Sequence, residues 1–331
     1  MGEASYRAVV CEALGQAESL RLRPLARQAL SPGAVRISIK AAGINFPDLL
    51  TIQGLYQHRP QLPFVPGVEA AGIVVEMASN AHGLALGQRV IVRMRTGGYA
   101  EEAVVPASQV VPMPEAFSFA EAATFLVAHG TAYHGLVSRG GLAAGDTLLV
   151  LGAAGGVGLA AVQVAKTIGA RVLAAASSAT KLQTALSNGA HEAIDYSKEP
   201  VEAAVKRLTA GEGVDVVLDP VGFEQASVLR CLTQGGKLLI AGFAGGSIPA
   251  YAGNRILLKG CSVIGVRAGE AGRQDPALRR RETEAVLALA AQGLVRPCVC
   301  ARFPLSEWVE AMRLLKLRNA IGRVALEMDA A

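Results

Sequence analysis

A chain of 331 residues is long enough to bury the cores of two domains. With 51% apolar residues, 18% charged residues and 37 glycines, its composition is that of a globular α/β protein, which excludes a disordered or collagenous chain. A net charge of +5, with both signs mixed along the chain, is too weak and dispersed to indicate nucleic acid or an anionic membrane as a partner.

No segment reaches the ~20 uninterrupted apolar residues of a membrane span. The opening "MGEASYRAVV" lacks the basic flank and apolar core of an export signal. Five scattered cysteines suit reduced thiols, so a cytoplasmic protein is expected.

In chain order, "AVRISIKAAGINF" alternates like a half-exposed strand. "AAGIVVEMA", "GQRVIVRM" and "GGYAEEAVVPA" are short strands punctuated by Gly and Pro, the pattern of a compact, mostly β unit. "PEAFSFAEAATFLVAHGTAYHGL" turns helical, with Ser118 and Glu121 spaced as a capping box. From about residue 146 to 266, the apolar runs "TLLVL", "RVLAA", "AIDY", "VDVVLD", "KLLIAGF" and "CSVIGV" alternate with helical stretches. Continuous apolar strands in βαβα order predict a parallel, doubly wound sheet covered on both faces. After 266 come the helix "RRRETEAVLALAAQG", then "VRPCVCARFPL", the helix "SEWVEAMRLLKLRN" and a last strand "GRVALEM". The basic run Arg279-Arg280-Arg281, followed at once by Glu282 and Glu284, reads as a solvated helix face. The two chain ends can fold together around an inserted α/β domain.

The strand–helix junction "LVLGAAGGVGLAAVQVAK" carries A-x-G-x-x-G at Ala153, Gly155 and Gly158, with Gly152 and Gly156 in the same turn. Gly155 lets the backbone approach a pyrophosphate. Gly158 lets the helix pack close to the strand, and the helix N-terminus supplies free N–H groups. The motif follows the first strand of a βαβ series, the setting that a dinucleotide site requires. At the end of the second strand, an NAD site usually places a carboxylate for the ribose 2′-hydroxyl. This chain has Ser177 and Ser178 there, and Lys181 one turn on, with Tyr196 after the neighbouring strand. Two hydroxyls and an ammonium favour a 2′-phosphate, hence NADPH; capping of a helix start is the alternative role for the same residues.

"AAGINFPDLL", "LPFVPGVEAAGIV", "GQRVIV", "TAYHGL", "VLGAAGGVGLAAVQVAKTIGARV", "NGAHEAIDY", "GVDVVLDPVG", "GGKLLIAGF" and "IGRVAL" occur in order. Together they resemble the zinc-independent quinone oxidoreductase (zeta-crystallin-like) branch of the medium-chain dehydrogenase/reductase superfamily, nearly end to end. The resemblance implies an α/β protein with a GroES-like, mostly β catalytic domain from residues 1–127 and 267–331. An inserted Rossmann domain, 128–266, would bind NADPH in the cleft between the domains. It also implies a homodimer joined through "CSVIGV". By matching positions, Asn45 would lie near the nicotinamide or the acceptor oxygen and Val157 would back the nicotinamide ring. Thr131 would contact the cofactor at the domain junction. Gly242, Phe243 and Val266 would close over its nicotinamide half, and Arg323 would approach the adenosine phosphate.

Zinc is not expected. Asn45 stands where the alcohol dehydrogenase branch has a Cys, Gly67-Val68-Glu69 stands for its Gly-His-Glu, and no Cys lies between Asn45 and Glu115. The pair Cys298 and Cys300 reads as buried thiols without partners for a metal, and the five His residues show no metal spacing. Without a Lewis acid, the acceptor must be electrophilic by itself, as quinones and α,β-unsaturated carbonyls are. Tyr56 is the nearest candidate proton donor, with His58 and Asp48 poorer ones. Three readings stay open: an NADPH:quinone reductase, a reductase of an alkenal or enoyl-thioester C=C bond, and a non-catalytic NADPH-binding protein, crystallin-like or RNA-associated.

Overall fold

The computed structural model describes residues 5–223 and 225–328. The first four residues, on which the reading of an absent export signal partly rests, and Glu224 in the stretch "FEQASVLRC" lie outside the described residues. The chain forms two compact units, Met1–Val127 with Pro297–Ala331 (unit 1) and Ala128–Arg296 (unit 2).

Seven strands open the chain: β1 (Ser5–Val10), β2 (Arg21–Ala26), β3 (Ala34–Ile44), β4 (Glu69–Met77), β5 (Arg89–Arg93), β6 (Glu102–Pro106) and β7 (Val110–Pro112). Six follow in unit 2: β8 (Thr147–Leu151), β9 (Arg171–Ala176), β10 (Glu192–Asp195), β11 (Val214–Asp219), β12 (Leu232–Ile240) and β13 (Ser262–Gly265). β14 (Val299–Pro304) and β15 (Arg323–Glu327) return the chain to unit 1.

In unit 1, β14-β15-β3-β4-β5-β7 form one sheet, β6 pairs with β3, and β1 and β2 make a separate hairpin. β3 is buried over almost its whole length rather than half-exposed, because β15, β4 and β6 all pair with it. The helix Phe119–Ala122 also packs against it. Gly43 makes this contact possible: a Cβ there would lie 2.2 Å from the Ala123 carbonyl oxygen. That helix is capped as its spacing predicts, Ser118 N–H donating to Glu121 Oε2 at 2.8 Å and Glu121 N–H to Ser118 Oγ at 3.3 Å. The core gathers Val35, Ile37, Ile39, Ile44, Val74, Val90, Val92, Tyr99 and Leu326. Cys298 is half-buried and Cys300 exposed, so these thiols are not the buried pair expected. They face the β15 side, Sγ of Cys300 reaching the Arg323 carbonyl at 3.3 Å.

In unit 2 all six expected strands form, in the order β10-β9-β8-β11-β12-β13, and every neighbouring pair is parallel. Counted within the unit this is 3-2-1-4-5-6, the doubly wound order, whose switch point lies between β8 and β11. The interior strands are buried over almost their whole length and mostly apolar, as in "TLLVL" and "VDVVLD", as strands covered on both faces are. The segment 267–296, expected with the β domain, packs in unit 2 instead. Its helix Pro276–Ala291 turns Glu282 inward, where Oε1 accepts from Ser138 Oγ at 2.6 Å and pairs with His134 Nδ1 at 2.8 Å. Gln163 then holds both the N–H and the carbonyl of Arg296, at 3.0 and 2.9 Å.

Candidate active site

The glycine turn lies at the end of β8, beside the switch point. Gly152 sits at φ +58°, where a Cβ would press within 2.6 Å of Val221 Cγ2. Ala153 is buried and its N–H donates to the Ala175 carbonyl on β9 at 3.0 Å. Gly155 is the N-cap residue of the helix Gly156–Ile168, and no side chain caps that helix. The first N–H groups, those of Gly156, Val157 and Gly158, therefore have no intrahelical acceptor and the positive end of the helix dipole faces outward. A Cβ on Gly158 would lie 2.4 Å from the Gly152 carbonyl oxygen, so only glycine lets this helix seat against the turn. Residues of this kind fit a phosphate group: backbone donors without a side chain in the way.

Parallel strands bring every other expected unit 2 strand-end residue to the same edge of the sheet. Ser177 and Ser178 follow β9, Tyr196 follows β10, Gly242 and Phe243 follow β12, and Val266 follows β13. Ser178 caps the helix Ala179–Ser187, accepting from the Lys181 N–H at 3.4 Å, so the capping role holds for that hydroxyl. Ser177 is exposed, and the Lys181 ammonium donates to its Oγ at 3.4 Å. Tyr196 packs edge-on against Phe223 with centroids 5.3 Å apart. Thr131 is half-buried on the helix Leu126–Tyr133, and Gly135, in the π-helical turn that follows, lies against buried Val266.

The loop between β11 and its helix went unread in the sequence. Asp219 is wholly buried, and its carboxylate accepts the N–H groups of Val221, Gly222 and Phe223 at 2.8–2.9 Å. Burial still pushes Asp219 above the usual carboxylate range, against those three bonds. The turn it holds carries Val221 onto Gly152 and Gly222 under Phe243, whose Cδ1 would lie 3.0 Å from an added Cβ. The dipeptide Asp219-Pro220 between a buried strand and a Gly was the available signal.

Unit 1 holds a buried polar cluster. Asn45 is the N-cap residue of the helix Phe46–Ile52, and its N–H donates to Asp48 Oδ2 at 2.8 Å. Tyr99, fully buried, donates its hydroxyl to the same oxygen at 2.8 Å. Arg323 binds Glu69 Oε1 at 2.6 Å and Asn45 Oδ1 at 2.8 Å through Nη2, and the Thr124 carbonyl at 3.1 Å through Nε. The second oxygen of Glu69 accepts from Val127 N–H at 2.8 Å. Burial, the largest influence, raises the Asp48 carboxyl to about 7 despite its two donors. It also pushes Glu69 up, against the pull of Arg323.

These contacts bear on two expected roles. The Asn45 amide is 2% exposed, with its oxygen held by Arg323 and its nitrogen 3.3 Å from the Gly43 carbonyl, so its side chain is held by partners inside unit 1. Arg323 is buried rather than a surface charge, and Nε and Nη2 are occupied, which leaves only its Nη1 edge for any phosphate. Tyr56 is partly exposed and makes no hydrogen bond among the described residues, to Asn45 or to any other.

Residues 31–115 match the profile of the alcohol dehydrogenase GroES-like domain, and residues 156–291 that of the zinc-binding dehydrogenases. The chain is 38% identical to a quinone oxidoreductase-like protein 2 homolog of Nematostella vectensis, over 98% of this chain and 90% of that one. The chain belongs to the zinc-independent quinone oxidoreductase branch of the medium-chain dehydrogenase/reductase superfamily. A probable oxidoreductase of Mycobacterium abscessus has the same fold, with TM-score 0.89, 36% identity and coverage of 98% and 100% of the two chains. A mycobacterial protein whose structure is complexed with NADPH matches with TM-score 0.87 and 29% identity, over 97% of this chain and 99% of that one.

Membership makes zinc a question for these residues to answer. A guanidinium already rests on the Glu69 carboxylate, and an amide stands at position 45 in place of a thiolate. Among the described residues, no group of three or more His, Cys, Asp or Glu is placed to hold a metal ion. This oxidoreductase's residues do not fit a catalytic zinc.

Proposed function

We propose that this member of the family is an NADPH-dependent quinone reductase. The carrying observation is the end of β9: no carboxylate follows the strand, and Ser177 pairs there with the Lys181 ammonium, one parallel strand over from the glycine turn at the end of β8. A relative of the same fold bound to NADPH supports the choice.

NADPH supplies a hydride, and the chain supplies binding, orientation and exclusion of water. The helix start at Gly155–Gly158 would hold the pyrophosphate, and Ser177 with Lys181 the 2′-phosphate, with Tyr196 beside them. Val157, Thr131, Gly242, Phe243 and Val266 would line the nicotinamide half. No residue here activates a simple carbonyl as a Lewis acid does, which favours conjugated acceptors. A reduced quinone can take its protons from water, whereas a C=C bond needs a positioned donor, for which partly exposed Tyr56 is the candidate.

NADPH oxidation against quinones, enals and enoyl thioesters tests the reading. Turnover with quinones, and a Tyr56→Phe variant that keeps it, supports the quinone reductase. Turnover confined to enals or thioesters and lost in Tyr56→Phe selects the C=C reductase, and NADPH binding without turnover selects the non-catalytic reading. We further propose a cytoplasmic homodimer. No helix among the described residues is long and apolar enough to cross a membrane. Leu257 and Leu258, each 79% exposed on the helix before edge strand β13, are apolar side chains open to a second copy.

A further inference from the structure

The arginine run that looked like a solvated face makes no ion pair with Glu282 or Glu284, the acids that follow it, among the described residues. Glu282 points inward to His134 and Ser138, and Asp275 caps its helix by accepting from Leu278 N–H at 2.9 Å. Between residues 267 and 282, that leaves Glu270 as the acid that meets the arginines. Arg273 donates to Glu270 from Nε at 3.2 Å, and Arg267 stands 3.8 Å from the same carboxylate. Arg279 has no ion pair and no side-chain hydrogen bond among the described residues.

Arg279 is also held in place. It is half-buried, and its aliphatic stem lies on Gly272, where an added Cβ would come within 3.0 Å of Arg279 Cβ and 3.2 Å of Cγ. Burial and then the Arg273 charge lower its pKa from the usual value, as unneutralised like charges in a confined place do. Its position follows from its helix. Glu282, three residues on, is the anchor that docks this helix on the turn His134–Arg139, and Gly135 of that turn abuts Val266 at the end of β13. Arg279 therefore stands about one helical turn from that anchor, and Arg267 directly follows Val266 after the end of β13.

We propose that Arg279, with Arg273 and Arg267, forms an oxyanion-binding site for an anionic group on the acceptor, a phosphate, sulfonate or carboxylate carried by the substrate itself. The inference rests on the reductase reading for its role, though not for its chemistry. A planar, preorganised guanidinium that lacks a carboxylate binds such a group bidentately. A neutral acceptor gains nothing from it.

The test compares 1,4-naphthoquinone with its 2-sulfonate in wild type, R279Q, R279K and the exposed control R280Q. The site predicts that R279Q raises KM for the sulfonate about tenfold and leaves the neutral quinone within about twofold, with R279K between and R280Q unchanged. Equal effects of R279Q on the two quinones overturn it. Should R279Q fold poorly, R273Q, which removes the second guanidinium, must show the same split. Inorganic phosphate titrated into wild type and R279Q by calorimetry needs no turnover. A binding event present in wild type and missing in R279Q supports the site even if neither quinone is reduced, an outcome that would overturn the reductase reading alone. Identical isotherms overturn the site.

Discussion

At the end of β8, the chain leaves backbone N–H groups of a helix start without a partner, behind glycines that keep side chains away. Around Glu69 in unit 1 the reverse holds: Asn45, Asp48, Tyr99 and Arg323 are buried and bonded to one another or to the backbone. The first arrangement offers its donors outward, and the second is bonded within one unit. Polar groups left open mark where a small molecule can supply the missing bonds, and polar groups closed on themselves mark where the chain secures its own geometry.

The strongest way to break this contrast is Glu69→Ala. It strands the Arg323 guanidinium in the core and should cost about 3–5 kcal/mol in urea unfolding. A loss below about 1 kcal/mol would mean the cluster is not closed. Next comes Asp48, whose folded pKa of about 7 lies above its unfolded value. The folded chain binds the extra proton between those values. Stability from this group is thus full below about pH 4 and lost as pH rises to about 7, on the order of a few kcal/mol. Asp48→Asn cannot ionise and should flatten that part of the stability–pH curve; an unchanged slope would assign the pH dependence elsewhere.

On the open side, Gly158→Ala drives a methyl against the Gly152 carbonyl oxygen, 2.4 Å from where its Cβ must go. A cost of about 1–3 kcal/mol and a loss of NADPH affinity of roughly tenfold or more are expected; fluorescence titration that finds wild-type affinity would remove the turn from the site. The smallest effect is Lys181→Ala, which should weaken NADPH about tenfold and NADH less than about twofold. Equal weakening of both would sink the 2′-phosphate assignment and leave Ser178 and Lys181 as parts of a helix start.

Unit 2 was legible because its signals are local. Each strand is a short apolar run, and the glycine turn is a few adjacent residues whose backbone demands can be read from their types. The closed cluster was not legible in the same way. Asn45 in "AAGINF" and Arg323 in "IGRVAL" each look like an isolated polar residue, and only the antiparallel pairing of β15 with β3 shows what they do to each other. The same blindness put residues 267–296 with the wrong unit, since Glu282 finds His134 at a separation of 148 residues.

By itself, then, the sequence determined the doubly wound sheet, the glycine turn after β8 and the missing carboxylate after β9, all set by backbone conformation and residue type over a few positions. The tertiary structure decided that Asn45 faces Arg323 across 278 residues, that Glu69 carries a guanidinium, and that Arg279 has no counter-ion among the described residues. Whether a buried polar group is open or closed depends on partners that only folding brings within hydrogen-bond reach, about 3 Å.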